Sequence, residues 1–345
     1  MKFRFAVTLA IFAVAAIALA LTLQHPPADS VQRGYRGLGM VQIRNPETMK
    51  AEQTTNRAPE PSAKIDPSGQ PASAVYQNVQ VLKDLDSNEL LRLMNDITAW
   101  VSPKQGCAYC HAEGEELSSD KLYTKVVARR MLEMVRHINA DWKNHVGNTG
   151  VTCYTCHRGQ PVPAYVWFRD STDVHGMLGN RAGKNAPAPM AGMTALPSDP
   201  MMAFLDDADQ IRVISATALP GGDRSSIKQT EWTYALMIHM SEALGVNCTF
   251  CHNTRSFFAW DQSTPQRVTA YYGIRLVRDL NQNYLKGLSA KFPHERLGPL
   301  GDPPKVDCTT CHQGVSKPLF GVSLASDYPE LGGTAASTAQ PSGAR

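Results

Sequence analysis

The chain has 345 residues, of which 43% are hydrophobic and 19% are charged, which is ordinary for a globular protein and long enough for two domains. The formal net charge of +3 is too small to indicate a class of partner, and no nucleic-acid partner is expected. All eight cysteines fall in four short motifs described below, so none is left for a disulfide framework.

The N-terminus carries an apolar segment. Lys2 and Arg4 precede an uncharged, mostly apolar run from Phe5 to Leu23. Such a run is either a signal peptide or a membrane helix, but its about 19 residues can span a bilayer, whereas the apolar part of a secretory signal has about 7 to 15. We therefore expect residues 1–24 to form a retained anchor. No cysteine follows the run, so no lipid-modified N-terminal cysteine is expected.

Residues 25–75 are rich in Pro, Gln, Ser and charged side chains and show no sustained apolar period. A segment that cannot build its own core is either a disordered linker or an extended arm that lies on the surface of a partner. Composition alone leaves both interpretations open.

Two helices are predicted in a first helical unit at 76–174. Their apolar stripes are Leu90, Met94, Ile97 and Val101, and then Val127, Met131, Met134 and Ile138. Asp86 with Glu89 indicates a capping box at the start of the first helix, and Pro103 ends it. The second helix is expected to continue to His145 and to end at Gly147.

A second helical unit at 225–322 repeats the first. A connector at 175–224 without a clear period separates the two units, and a tail at 323–345 is expected to be disordered. The third helix has the stripe Thr233, Met237, Met240 and Leu244. The fourth, at about 266–287, matches the second at a constant offset: Val126 with Val268, Ala128 with Ala270, Val135 with Val277, Arg136 with Arg278, Asn139 with Asn281.

Each predicted helix precedes a Cys-x-x-Cys-His motif. The cysteines are Cys107 and Cys110, Cys153 and Cys156, Cys248 and Cys251, and Cys308 and Cys311, and the histidines are His111, His157, His252 and His312. Two cysteines at this spacing form thioether bonds to both vinyl groups of one haem, and the histidine is its proximal ligand. One copy could also be a redox or zinc motif. Four copies that use every cysteine predict four covalently bound haem c groups.

The second axial position of each haem iron distinguishes an electron carrier from a catalyst. In a carrier a methionine or histidine occupies this position, whereas in a catalyst it is vacant and binds substrate. Met94 and Met237 lie at similar distances before the first and third motifs, each within a Leu-Met pair. A methionine on an apolar stripe commonly only packs in a hydrophobic core. Here the core beside these helices would contain a haem, so Met94 and Met237 are predicted to be iron ligands. Met240 is predicted to pack, and His239 to point away from the haem.

The four motifs in two repeats, each preceded by a helix with methionine, resemble the tetrahaem cytochrome subunit of purple-bacterial photosynthetic reaction centres. The resemblance covers nearly the whole mature chain and implies a mainly α multihaem cytochrome of two pseudo-repeated dihaem units. It implies a place on the periplasmic face of the photosynthetic inner membrane, beside the L and M subunits of a complex that includes the H subunit. It also favours an arm at residues 25–75, because the stretch 31–40 resembles a family segment that lies along the reaction-centre core.

The resemblance also implies a function and a ligand set. The family subunit is not an enzyme: it re-reduces the photo-oxidised bacteriochlorophyll special pair with electrons from a soluble cytochrome c or a high-potential iron-sulfur protein. In this family three haems have methionine and histidine as axial ligands and one has two histidines. The corresponding residues here are Met94 with His111, Met131 with His157, Met237 with His252, and His145 with His312.

The internal alignment agrees with that pattern at the fourth motif. The residue equivalent to Met131 in the second unit is Gly273, so the fourth helix offers no sulfur ligand and leaves room for a side chain from elsewhere. His145 is predicted to enter from the first unit. Met134 aligns with Leu276 and is predicted to pack, while His137 is predicted to lie at the surface.

Two other classes share some of these features. A membrane-anchored tetrahaem quinol dehydrogenase also has one N-terminal helix, but its motifs are closer together and its ligands are mainly histidine. A multihaem enzyme that reduces a small nitrogen or sulfur compound needs an open iron, and the predicted ligands leave none.

Two surfaces are predicted to meet partners. An acidic loop after the first motif, Glu113, Glu115, Glu116 and Asp120, would attract a basic electron donor. A cationic and aromatic stretch after the third motif, Arg255, Phe257, Phe258 and Trp260, suits a protein interface, and Arg255 would raise the potential of that haem.

Overall fold

The computed structural model describes residues 2–22, 29–32, 41–169, 188–197, 199–213 and 227–333. Within these ranges the chain is mainly helical, and its strands form one two-stranded sheet. The predicted mainly α fold class is confirmed.

An isolated apolar helix, α1 (Lys2–Thr22), begins the described chain. Its mean hydropathy is 2.5 over Arg4–Thr22, and this window is 0% buried. The helix is long and apolar enough to cross a membrane, and its uncovered apolar surface fits the predicted anchor.

The segment predicted as an extended arm is partly folded. Strands β1 (Asp29–Gln32) and β2 (Val41–Arg44) pair antiparallel, and helix α2 (Pro46–Thr55) follows directly. The strands are extended, but the prediction of extended chain throughout 25–75 is wrong for α2. The Asn45 side chain caps α2 by accepting from the Glu47 amide, and a proline occupies the first turn. Most of the stretch 31–40 lies outside the described residues.

The end of this arm is also anchored on its own chain. Asn56, directly after α2, is fully buried and donates to the Gln313 carbonyl at 3.1 Å. Arg44 donates to the Gly245 carbonyl at 3.0 Å. Residues 44–56 therefore belong to the folded body of this protein.

Helix α3 (Ala72–Val75) leads to the first predicted helix, α4 (Ser87–Val101). Asp86 caps α4 as predicted by accepting from the Asn88 amide, but Glu89 forms an ion pair with Arg92 at 2.8 Å instead of completing a capping box.

The second predicted helix is interrupted. Helix α5 (Tyr123–Asp141) has Trp142 as its C-cap, and a separate turn, α6 (Lys143–Val146), carries His145 before Gly147. The prediction of one continuous helix is wrong at Trp142, which has φ −109° and ψ 30°. The Trp142 indole donates to the Asp279 carboxylate at 2.9 Å, so a contact with the second unit accompanies the break.

The second unit follows a similar course. After helix α7 (Cys153–His157) and the partly described connector, α8 (Ile227–Leu244) ends before Gly245 as predicted. Helix α9 (Pro265–Asp279) is shorter than predicted, because the chain continues as a π-helical turn (Leu280–Leu285) and a 3-10 segment (Lys286–Lys291). Helix α10 (Cys308–His312) is the last α-helix described.

Two asparagines that the sequence alignment pairs make equivalent contacts. The Asn139 side chain donates to the Val151 carbonyl at 2.9 Å and accepts from the Val151 amide at 2.7 Å. Asn281 makes the same two bonds with Val306, at 3.0 and 2.9 Å. Each asparagine therefore fixes the chain just before a Cys-x-x-Cys-His motif.

The two units do not have separate cores. The largest cluster of buried side chains includes Leu93 and Leu132 from the first unit, Leu276 and Leu285 from the second, and Tyr328 from beyond it. The predicted units thus depend on each other for burial.

The tail is ordered as far as the structure describes it. Leu324, Tyr328 and Leu331 are at most 4% exposed, and the Tyr328 ring lies 4.8 Å from that of Trp100. The prediction of disorder is therefore wrong for residues 323–333, whereas residues 334–345 lie outside the described chain. The sequence shows no helical period here because the segment forms only short 3-10 turns, yet its apolar side chains fill the core.

Candidate haem-attachment sites

The four motifs adopt two alternating conformations. The first and third form 3-10 turns, at Gly106–Tyr109 and Cys248–Phe250. The second and fourth are the five-residue helices α7 and α10. The alternation matches the order of helix and motif in the sequence repeat.

The two helical motifs are held by matching local contacts. At the fourth motif Asp307 and Thr310 form a capping box, and at the second the Thr152 amide donates to the Thr155 hydroxyl at 3.0 Å. Each motif is then followed by a residue in the left-handed region and a glycine. The amide of Gly159 donates to the Trp100 carbonyl at 2.8 Å, and the amide of Gly314 donates to the Ala243 carbonyl at 2.9 Å. The second motif is thereby fixed to the end of α4 and the fourth to the end of α8.

The two 3-10 motifs are held by threonines from the next helix. The Thr124 hydroxyl donates to the Tyr109 carbonyl, and the Thr264 hydroxyl donates to the Phe250 carbonyl at 2.5 Å. Neither threonine belongs to a motif in the sequence, although both lie at the start of a helix that follows a motif.

All four motif histidines have the same hydrogen-bond arrangement. Their Nδ1 atoms lie 3.1, 2.9, 2.9 and 2.9 Å from the carbonyls of Leu117, Gln160, Phe257 and Val315, for His111, His157, His252 and His312 respectively. Because a carbonyl only accepts, Nδ1 is the donor and Nε2 keeps a lone pair. This is the arrangement by which a neighbouring group orients a histidine that binds metal.

Burial favours the neutral form of these rings. Desolvation lowers the pKa of His111, His157 and His252 below its ordinary value. Desolvation and then the nearby His145 lower the pKa of His312 to about 4. Neutral imidazole is the form that coordinates iron, so the sites fit a haem ligand.

Each of the second and third motifs contains a cysteine whose environment disfavours the thiolate. Burial raises the pKa of Cys153 to about 12 and that of Cys251 to about 11. Reactive dithiols and zinc sites need thiolates, which a raised pKa disfavours. A thioether carries no charge, so covalent haem attachment suits these two positions better.

The second and fourth motifs meet directly. The Sγ atoms of Cys156 and Cys311 are 2.7 Å apart, which is longer than a disulfide bond of about 2.05 Å. Haems bonded to these two sulfurs would therefore be close neighbours.

His145 faces the fourth motif. Its ring centroid lies 6.0 Å from that of His312, with an angle of 70° between the rings. Two imidazoles bonded at about 2 Å to opposite faces of one metal have centroids about 6 Å apart. The Nδ1 atom of His145 lies 2.9 Å from the Thr269 carbonyl, which leaves its Nε2 atom for a metal as in the four motif histidines.

Gly273 makes room for this histidine, as the sequence predicted. A Cβ atom at position 273 would lie 2.6 Å from His145 Cε1 and 2.9 Å from its Nδ1. His145 reaches this position from the separate turn α6, and not from the stripe of Met131 that the sequence indicated.

The candidate methionines are placed differently in the two units. A cavity of about 990 Å³ is lined by Met94, Met131 and His145 together with the cysteines and histidines of the first, second and fourth motifs. Met134 is 8% exposed and belongs to the core cluster, as predicted for a packing residue. Met237 packs against the second buried cluster and does not line this cavity, and neither do the cysteines and histidine of the third motif. Met240, which was predicted to pack, contacts the same cluster but also lines the cavity, as does Phe250 of the third motif.

The helical fold and the four oriented histidines define a c-type cytochrome. The family model of the photosynthetic reaction centre cytochrome c subunit matches residues 24–332, and the chain belongs to this family. The match includes most of the ordered tail and begins after α1.

Curated relatives extend over most of the chain. The photosynthetic reaction center cytochrome c subunit of Rubrivivax gelatinosus is 51% identical, covering 92% of this chain and 87% of the relative. That of Thermochromatium tepidum is 50% identical, covering 94% and 80%. Cytochrome c-554 of Chloroflexus aurantiacus is more distant, at 27% identity over 72% of this chain and 71% of its own length. The family match argues against the quinol dehydrogenase and the small-molecule reductase.

Proposed function

We propose that this chain is a periplasmic tetrahaem electron carrier that re-reduces the photo-oxidised bacteriochlorophyll special pair of a photosynthetic reaction centre. The observation that carries the proposal is the set of four motif histidines, each with Nδ1 held by a backbone carbonyl. The reaction-centre partner is inferred from the names of relatives 40 to 51% identical over most of the chain.

Each haem iron would be held by a pair of axial ligands, so that no coordination position is vacant. The proposed pairs are Met94 with His111, Met131 with His157, Met237 with His252, and His145 with His312. The opposed rings of His145 and His312 support the last pair. The shared cavity of the first, second and fourth motifs supports the placement of Met94 and Met131. Bound haem supplies the one-electron chemistry, while the protein orients the ligands and excludes water.

The chain is proposed to be retained in the membrane by α1, with the haem-bearing body on the periplasmic side. The exposed apolar surface of Arg4–Thr22 supports an anchor. Covalent haem attachment, a reaction of the periplasmic side, supports the orientation.

An exposed aromatic patch after the third motif is the proposed contact with the L and M subunits. Phe257, Phe258 and Trp260 are 47, 57 and 47% exposed. The Arg267 guanidinium lies 4.0 Å from the Trp260 ring centroid, so the patch combines aromatic surface with positive charge. Arg255 is exposed beside it, and its effect on a haem potential stays a prediction.

Removing this patch is expected to weaken assembly. Replacing Phe258 and Trp260 by serine should lower the amount of reaction-centre subunits that co-purify with the cytochrome by about tenfold, because central aromatic residues dominate such interfaces. Leu300→Ser is the control, since Leu300 is 58% exposed outside the patch. Equal recovery from the patch variant and the control would contradict the proposed contact.

The acidic loop after the first motif is less negative than the sequence indicated. Glu115 pairs with Lys121 at 2.7 Å, and Asp120 pairs with Arg129 at 2.7 Å and with Lys125 at 3.4 Å. No ion pair is found for Glu113 or Glu116 within the described chain. These two glutamates are therefore the groups left to attract a basic soluble donor.

Reversing both charges is expected to slow re-reduction by a basic soluble cytochrome. Glu113→Lys with Glu116→Lys should lower the second-order rate about tenfold at low salt and much less at high salt, because salt screens the attraction. The same reversal at the exposed arm residues Glu60 and Asp66 is the control for overall charge. Flash-induced kinetics measure both, and equal rates for the two variants would refute a donor site at this loop.

The proposed function as a whole is tested on the protein from native membranes. Mass spectrometry should show four haem additions, residues 1–24 retained, and co-purifying reaction-centre subunits. A methionine-to-iron charge-transfer band and failure to bind carbon monoxide are expected if every iron is closed. Fewer than four haems or strong carbon monoxide binding would contradict the proposal.

A further inference from the structure

Arg158 lies at the junction between the second and fourth motifs. It directly follows His157 and adopts the left-handed conformation, with φ 50° and ψ 40°. Its side chain is partly buried and is stacked on the Tyr154 ring at 5.6 Å. A side chain of this length would normally extend into solvent, so its position needs an explanation.

The guanidinium joins three parts of the chain. Nε donates to the Thr155 carbonyl at 3.0 Å, within the second motif. Nη2 donates to the Cys311 carbonyl at 3.3 Å, within the fourth motif, and to the Asn56 side chain at 3.2 Å. Nη1 donates to the Thr55 carbonyl at 2.9 Å at the end of α2. The planar fork of arginine allows one residue to make these contacts together.

The charge of Arg158 is not balanced at this junction. All four acceptors are neutral amide oxygens, and no carboxylate pairs with Arg158 among the described residues. Desolvation lowers the pKa of Arg158, but arginine starts so high that the guanidinium stays charged at neutral pH. A fixed cation therefore lies against the backbone of both motifs, whose Cys156 and Cys311 sulfurs approach each other.

The fourth motif shows that this position does not require a cation. Gln313 follows His312 as Arg158 follows His157, and it has the same left-handed conformation, with φ 48°. Its side chain donates to the Thr310 carbonyl at 3.4 Å, as Arg158 does to that of Thr155. A neutral residue thus satisfies the local geometry, so this geometry does not account for the charge of Arg158.

We propose that Arg158 is a positioning residue that clasps the second and fourth motifs together and, by its unbalanced charge, raises the midpoint potentials of the two haems attached there. Reduction adds one negative charge to a haem, and a nearby cation in a partly buried site stabilises that state. This inference rests on the haem attachment proposed above.

Arg158→Gln tests the charge, because glutamine already occupies the equivalent place in the fourth motif. In a spectroelectrochemical titration of the full chain, it is expected to lower two midpoint potentials, the larger shift being at least tenfold in the reduction equilibrium, or about 59 mV. Arg158→Lys keeps the charge, so both midpoint potentials should stay close to those of the unaltered protein. Arg130→Gln, an identical substitution at a partly exposed arginine paired with Glu133, is the control and should leave all four unchanged.

Four unaltered potentials in Arg158→Gln, with four haems attached, would overturn the inference while leaving the proposed function intact. An equal fall in Arg158→Lys and Arg158→Gln would also overturn it, since the charge would then not be the cause. Arg158→Met is a second neutral variant that must show the same lowering if Arg158→Gln fails to mature. Fewer than four haems in the unaltered protein would instead contradict the proposed function.

Discussion

Replacing His145 by methionine is expected to raise one low midpoint potential by on the order of 0.1 V or more, while three stay near their original values. Methionine ligation raises the potential of a c-type haem relative to histidine ligation. His145 faces His312 at 6.0 Å, so the affected haem should be that of the fourth motif. A redox titration measures the shift, and the loss of the bis-histidine spectroscopic signature identifies the ligand.

A glycine substitution provides an independent test of the same ligand. Gly273→Ala places a Cβ atom 2.6 Å from His145 Cε1, so it should displace the histidine and also shift that one potential. Gly287→Ala is the matched control, because nothing lies within 4 Å of a Cβ atom there. Retention of the bis-histidine signature in His145→Met would show that another histidine holds the iron, with His294 the first to examine.

Tyr328→Ala is expected to lower the free energy of unfolding by about 3 to 5 kcal/mol, the range for truncating a large buried aromatic side chain. Tyr328 is 0% exposed, its ring meets Trp100 edge to face at 4.8 Å, and its hydroxyl donates to the Asp96 carboxylate at 2.9 Å. The Arg92 guanidinium lies 4.5 Å from the same ring. Denaturant unfolding of the haem-containing protein measures the change.

A tyrosine-to-alanine substitution at the surface shows whether the loss of stability comes from burial or from the change of residue type. Tyr234 on α8 is 54% exposed, so Tyr234→Ala should change stability by no more than about 0.5 kcal/mol. If both variants unfold alike, the segment 323–333 does not contribute to the core. A large loss only in Tyr328→Ala would show that this C-terminal segment is part of the fold.

Local patterns in the sequence predicted the parts of this protein that depend on nearby residues. The Asp86 cap, the end of α8 before Gly245 and the repeat that pairs Asn139 with Asn281 all follow from spacing along the chain. The four motifs specify haem attachment because the two cysteines and the histidine lie within five successive residues. Helix α2 also had a local signal, Asn45 followed by Pro46, which the composition of its surroundings obscured.

Contacts between residues that are distant in the sequence determined the features that local patterns did not predict. His145 and Gly273 are far apart in the sequence, and the sequence indicated their pairing only because Gly273 stands where the first unit has Met131. The turn that carries His145 arises where Trp142 contacts Asp279. The tail has no period, yet Tyr328 is buried because α4 offers Trp100 and Arg92 to cover it. Thus the sequence by itself determined the cofactor chemistry, which is encoded locally. Only the tertiary structure decided which side chains from elsewhere meet each motif, because burial depends on surfaces that come together on folding.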